Sequence, residues 1–189
     1  MSKKLSAMSL EELWELFPII LQEHQCIWSE WYEEELKALQ QMIPLKIMKR
    51  ISHIGSTAVN SIWAKPIIDI LLELENKYDL SHIKEILLRN GYQIMSEETG
   101  RMSFNKGYAE EGFEEKVYHL HVRYAGDHDE LYFRDYIREH KDIAQEYEQL
   151  KLKLWRQYEH NRDAYTHSKT EFIIKYTKRA KEEFGCRYE

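Results

Sequence analysis

Residues 51–75 read ISHIGSTAVNSIWAKPIIDILLELE, and the fold turns on how this stretch is parsed. An extended run ends at Gly55 and a Gly-Ser-Thr turn follows. After Pro66 a second run, Ile67 to Leu74, is rich in Ile and Leu and carries one aspartate, Asp69. The expected order is strand, tight turn, short helix over Ala58 to Trp63, strand. Ser56 or Thr57 is suited to N-cap that helix, because a side-chain oxygen there satisfies backbone donors of the first turn. The same donors suit a phosphate. Pro66 bars continuation of the helix and biases Lys65 to extended geometry.

The period of two along a strand puts Ile68, Ile70, Leu72 and Leu74 on one face. Ile67, Asp69, Leu71 and Glu73 fall on the other, the one face open to polar chemistry. A carboxylate in so apolar a strand is costly to desolvate unless a cation, a metal or several donors meet it. Satisfaction by neighbouring backbone or by Lys65 is the plainer alternative.

Upstream, Ser9 to Glu23 reads as a helix, with Ser9 and Glu12 spaced as a capping box and Pro18 as a point of kinking. A second helix runs from Ser29 to Met42, closed by Pro44. Downstream, Ser81 to Arg89 is a short amphipathic helix ended by Asn90-Gly91. Strands are expected over Tyr92 to Met95, Arg101 to Asn105 and Val117 to Tyr124, with an acidic loop over Gly107 to Glu115. In the last strand His119, His121 and Arg123 share a face. Two imidazoles at that spacing suit metal or phosphate ligation, while the wet side of an antiparallel sheet is the commoner fate of such polar alternation. The remainder is helical: Glu130 to Lys141, Asp142 to about Glu159, and Asp163 to Phe184. Arg162, Tyr165 and Lys169 form a polar stripe near the start of that last helix.

The 189 residues, 43% of them hydrophobic, are enough for one well-buried core. A single domain spanning 1–189 is expected, with its core at about 45–125. The 27 basic and 33 acidic residues leave a net charge of -6, which argues against generic nucleic-acid binding. Cys26 and Cys186 have no metal-ligand spacing and are expected as free thiols. With no apolar run of membrane-spanning length and no signal-peptide pattern, the expected location is cytoplasmic, without membrane partners. The oligomeric state is left open.

The motifs His53-Ile54-Gly55-Ser56-Thr57-Ala58-Val59 and Ala64-Lys65-Pro66-Ile67-Ile68-Asp69-Ile70 resemble the GrpB family, within the nucleotidyltransferase superfamily. The likeness extends through Arg101, Phe104, Lys106-Gly107, His119-Leu120-His121-Val122, Phe133 to Arg138, Glu146-Tyr147, Leu150-Lys151 and Asp163-Ala164-Tyr165-Thr166 with Lys169 and Phe172, covering about Ser29 to Ala180. The superfamily signature is a Gly-Ser pair followed, about a dozen residues on, by two acidic residues flanking one hydrophobic residue. Gly55, Ser56, Asp69 and Ile70 match it, but Leu71 stands where the second acid belongs. Asn60-Ser61 also departs from the family's usual Pro-Gly.

The resemblance implies an α+β fold, a nucleotidyltransferase-like small mixed sheet with flanking helices and a helical C-terminal region. It also implies a nucleotide or phosphorylated small molecule as ligand. Gly55, Ser56 and Thr57 are then the phosphate turn, with Lys65, Arg101, Lys106, Tyr165 and Lys169 as further contacts. Asp69 becomes the catalytic metal ligand, with His121 as general base or ligand, and Asp69, His119 and His121 form the metal set. The metal expected is Mg²⁺ or Mn²⁺, with Zn²⁺ as the alternative that paired imidazoles favour. Two rival functions remain: a non-catalytic binding module of the same fold, and a metal-dependent hydrolase built on Asp69, His119 and His121.

Overall fold

The computed structural model describes residues 4–76 and 78–189. The carboxylate-bearing run is β2, Ile67–Leu74, in a five-stranded mixed sheet with β1 (Met48–Ile54), β3 (Gln93–Glu98), β4 (Arg101–Ala109) and β5 (Gly112–Tyr124). The order is β1-β2-β5-β4-β3. β2 runs parallel to β5, and the other neighbours are antiparallel. The parallel pairing requires a crossover, supplied by α3 (Leu80–Arg89) together with the β3–β4 hairpin.

The parity reading holds along β2. Ile68, Ile70, Leu72 and Leu74 are fully buried with Leu120 and Val122 of β5 and Phe104 of β4. This face packs on Trp28 and Leu39 of α2 (Ile27–Met42) and on Ile83 and Leu87 of α3. Each such aliphatic side chain contributes about 1.5–3 kcal/mol on leaving water. The opposite face is covered by α4 (Asp129–Glu139), α5 (Lys141–Tyr158), α6 (Arg162–His167) and α7 (Thr170–Phe184). There Leu131 of α4 closes over Ile54 and Leu71.

Four expectations change in the folded chain. The short helix over Ala58 to Trp63 does not form: a 3-10 turn spans Ser56–Ala58 and Val59 is extended. Neither hydroxyl caps it, because both are drawn to other partners. Thr57 donates to the Ile67 carbonyl at 3.1 Å and Ser56 accepts from Lys151 at 3.0 Å. The first helix, α1 (Leu10–Leu16), does carry the Ser9–Glu12 capping box, but it stops before Pro18. The chain beyond is held by backbone bonds from Ile19 to Glu159 and between Gln22 and Ala64. The acidic loop is instead a hairpin, with Tyr108 opposite Phe113, because a bulge at Gly107 lets β4 continue past Lys106. Gly107 is required at this bulge: its φ is +88°, and a Cβ would meet the Lys116 carbonyl oxygen at 2.2 Å. The last helix is broken into α6 and α7 at Ser168-Lys169, and Asn161 caps α6 through the Ala164 amide at 3.0 Å.

Candidate functional site

Asp69 lies opposite Ile54 on one side and His119 on the other. The Gly-Ser turn leaves β1 directly over its carboxylate. Gly55 has φ +70°, and a Cβ there would come within 2.2 Å of Asp69 Oδ2, so no larger residue fits this approach. The turn is braced from below: His53 Nε2 and Thr57 Oγ1 are 3.0 Å apart, and Thr57 spends its own proton on the Ile67 carbonyl. His53 Nε2 therefore donates. Burial lowers the His53 pKa to about 4, which keeps this imidazole neutral.

His119 Nδ1 is 3.3 Å from Asp69 Oδ1, and His121 Nε2 is 3.8 Å from the same oxygen. On its far side His119 Nε2 meets the Tyr108 hydroxyl at 2.7 Å, and that hydroxyl accepts from Arg162 Nη2 at 2.8 Å. An arginine only donates and an ionised carboxylate only accepts. The Tyr108 proton thus goes to Nε2, and His119 presents Nδ1–H to Asp69. Burial, the largest influence on His119, pulls its pKa below the usual histidine value despite the nearby carboxylate, so the ring is neutral. Burial alone would raise the Asp69 pKa. The hydrogen bonds offered by His119 and His121 outweigh that and hold it ionised, well below the usual carboxylate range.

Around this carboxylate converge four cations. Lys151 of α5 is 2% exposed; its Nζ donates to Ser56 Oγ at 3.0 Å and also to the Trp63 carbonyl. Its ammonium lies 4.9 Å from the Tyr147 ring centroid. Lys65 and Lys169 flank the Tyr165 ring at 5.6 and 4.3 Å, and Arg162 sits 5.4 Å from the Tyr108 ring. Burial, with mutual repulsion added, pushes Lys65 and Lys151 down to about 7. Burial lowers Lys169 to about 8. All four line a cleft of about 780 Å³ with Gly55, Ser56 and Asp69 on its floor and Leu10, Leu13 and Trp14 of α1 as an apolar wall.

Of the residues expected in the site, Gly55, Ser56, Thr57, Lys65, Asp69, His119, His121, Tyr165 and Lys169 are brought together. Arg101 and Lys106 are not. Arg101 lies at the far end of β4, bound to Asp127 at 2.6 and 2.7 Å. Lys106 pairs in register with Tyr118, which places it on the opposite face of the sheet, where buried Glu35 of α2 binds it at 2.8 and 2.9 Å. Missing from the expected set were Lys151, Tyr108 and Arg162, the last noted only as part of a polar stripe. The signal for Lys151 was present: it interrupts the apolar stripe Ala144, Tyr147, Leu154 of α5 at a buried position. Tyr108 fell in the stretch read as loop.

The donors do not fit the implied Mg²⁺ or Mn²⁺ centre. The place of the second acid is filled by fully buried Leu71. Glu73 is turned to another network, with His128 at 2.9 Å and Arg50 at 3.3 Å. The nitrogen that His119 aims at Asp69 bears a proton rather than a free lone pair. Among the described residues no group of three or more His, Cys, Asp or Glu side chains is placed to hold a metal ion.

The fold and site define a mixed α+β protein with a cationic cleft built on a Gly-Ser turn and one half-buried aspartate. It belongs to the GrpB family, whose pattern, described as GrpB protein, matches residues 18–179. The chain is 35% identical over 151 residues to the UPF0157 protein YqkA of Bacillus subtilis (77% of this chain, 42% of that one). It is 37% identical over 156 residues to the UPF0157 protein PA4798 of Pseudomonas aeruginosa (81% and 64%). With the glutamate-rich protein GrpB of Alkalihalophilus pseudofirmus it shares 34% over 161 residues (82% and 91%). The chain thus spans less than two thirds of the length of YqkA and of PA4798. Among solved structures, GrpB from Enterococcus faecalis superposes with TM-score 0.74 at 32% identity, covering 87% of this chain and 99% of that one. The Cid1 poly(U) polymerase superposes more loosely, with TM-score 0.49 at 8% identity over 84% of this chain and 51% of that one. Among the described residues no helix is long and apolar enough to cross a membrane.

Proposed function

We propose that the cleft binds a phosphorylated small molecule of nucleotide type. Its phosphates lie against Ser56, Lys65, Lys151, Arg162 and Lys169, and its apolar part against the α1 wall. The observation that carries this reading is the crowding of four cations into one cleft. Three of them are lysines held at about 7 to 8 by burial and, at Lys65 and Lys151, by repulsion from neighbouring cations. A polyanion relieves that repulsion and replaces lost hydration with charge-assisted hydrogen bonds. The Gly-Ser turn adds its hydroxyl and open backbone, and it opens a 3-10 segment rather than an α-helix.

The test is thermal denaturation with sodium tripolyphosphate and with nucleoside triphosphates, against sodium sulfate at matched ionic strength. A ligand at 100 times its Kd stabilises by about 2.7 kcal/mol. The melting temperature is expected to rise with tripolyphosphate and triphosphates beyond the sulfate control. No such rise, or an equal one in a Lys169→Ala variant, removes the proposal.

Transfer of a nucleotidyl group is the second reading, and one observation favours it: ionised Asp69 lies under the same turn that meets the phosphates. In that reaction an acceptor oxygen bonds to the α-phosphorus, the bond to the β-phosphate oxygen breaks, pyrophosphate leaves, and the acceptor proton passes to His121, whose Nε2 stands 3.8 Å from Asp69. Pyrophosphate release from each nucleoside triphosphate, lost in Asp69→Asn, tests it. The hydrolase alternative required the metal set and has no observation in its favour.

A further inference from the structure

A second cavity, of about 760 Å³, opens on the other side of the Gly-Ser turn. Gly55, Ser56, Asp69, His121 and Tyr147 line both spaces, so the two share one wall. Their chemistry is opposite. The second is walled by Val59 and Ile62 after the turn, Phe133 and Ile137 of α4, and Ile173 and Ile174 of α7. Most charges that reach its lining are engaged: Lys181 with Asp129, Glu130 with Arg123 at 3.1 Å, Arg134 with Asp135 at 2.7 Å; the exposed Lys178 stands at its solvent side. Ile174 is 63% exposed at the cavity, an apolar side chain left in water where a core would have covered it. A volume in this range suits one small ligand. The shared wall also carries the polar groups of Ser56, His121, Tyr147 and Thr166, and among them the Asp69 carboxylate is an acceptor only.

We infer that this cavity binds a second small molecule, neutral and largely apolar, carrying one hydroxyl or amine hydrogen that Asp69 accepts. It sits beside the phosphorylated ligand, with Asp69 between the two. The inference rests on the phosphate reading for the identity of its neighbour and on the apolar walls for its own.

The probe is N-phenyl-1-naphthylamine, neutral, aromatic and bearing one N–H, whose fluorescence rises on leaving water. It is titrated into the full chain with and without saturating sodium tripolyphosphate. Saturable enhancement is expected, retained when tripolyphosphate is present. Ile173→Trp fills the cavity and Ile174→Glu puts a charge at it; each is expected to weaken probe binding about fivefold or more, some 1 kcal/mol. Ile174 is exposed, so its variant remains decisive even where Ile173→Trp fails to fold. Non-saturable fluorescence, competitive displacement by tripolyphosphate, or probe affinity unchanged in Ile174→Glu overturns the inference. Calorimetry with tripolyphosphate alone separates the two readings. Probe binding that persists when tripolyphosphate gives no heat supports the apolar site and removes the phosphate one.

Discussion

Replacing Lys151 by Met should make the protein more stable and a poorer binder. The side chain is 2% exposed, and its pKa falls from 10.5 to about 7, chiefly through burial. In the unfolded chain the lysine keeps its ordinary value, so between pH 7 and 10.5 the unfolded state holds more protons and stability climbs with pH. Each unit of that difference is worth about 1.36 kcal/mol. At pH 7, where the folded group is half protonated, the cost of burying it is then about 4 kcal/mol. Methionine has similar length and removes that cost. It also deprives Ser56 Oγ and the Trp63 carbonyl of their donor, a loss of about 2 kcal/mol. The net gain is about 2 kcal/mol, which for a chain of this size raises Tm by roughly 4–8 °C. Tripolyphosphate meanwhile loses a charged hydrogen bond of about 1.5–3 kcal/mol, so its Kd rises on the order of 10- to 100-fold. Differential scanning calorimetry and titration calorimetry on the same preparation read both effects. A variant that melts lower than wild type and binds tripolyphosphate equally well would refute the reasoning at both steps.

Three further outcomes follow from the same geometry. Because Lys65 and Lys151 titrate near 7 and Lys169 near 8, tripolyphosphate affinity should fall as pH rises from about 7 to 9. Binding at pH 8 should take up protons, measured by calorimetry in buffers of different ionisation enthalpy; proton release would contradict it. Gly55→Ala forces a side chain to φ +70° and a Cβ to 2.2 Å from Asp69 Oδ2. It should destabilise by about 2–5 kcal/mol from backbone strain and overpacking, seen as a lower denaturant midpoint. Lys106→Met should cost about 3 kcal/mol, because Glu35, 4% exposed, keeps only the Tyr92 hydroxyl of its named partners. Its tripolyphosphate affinity should match wild type, and a weakened affinity would return Lys106 to the site.

Local periodicity determined the central features of this protein from the sequence alone. Strand alternation is a property of the backbone, so His119 and His121 were bound to share a face once Gly112–Tyr124 was a strand, while the parallel register of Asp69 opposite His119 set the carboxylate beside them. The Ser9–Glu12 capping box is equally local and formed as read, with bonds of 2.7 and 3.2 Å. What only the tertiary structure decided is which distant groups meet those faces. Lys106 and Lys151 look alike in the sequence, yet Glu35 draws the first to the core side of the sheet and Ser56, 95 residues from its partner, receives the second. The same competition left the expected helix after Gly55 without a cap, because the Ser56 and Thr57 hydroxyls are engaged by Lys151 and the Ile67 carbonyl. A buried hydrogen-bonding group takes whichever partner the packing offers, and that partner is set by contacts no local window contains.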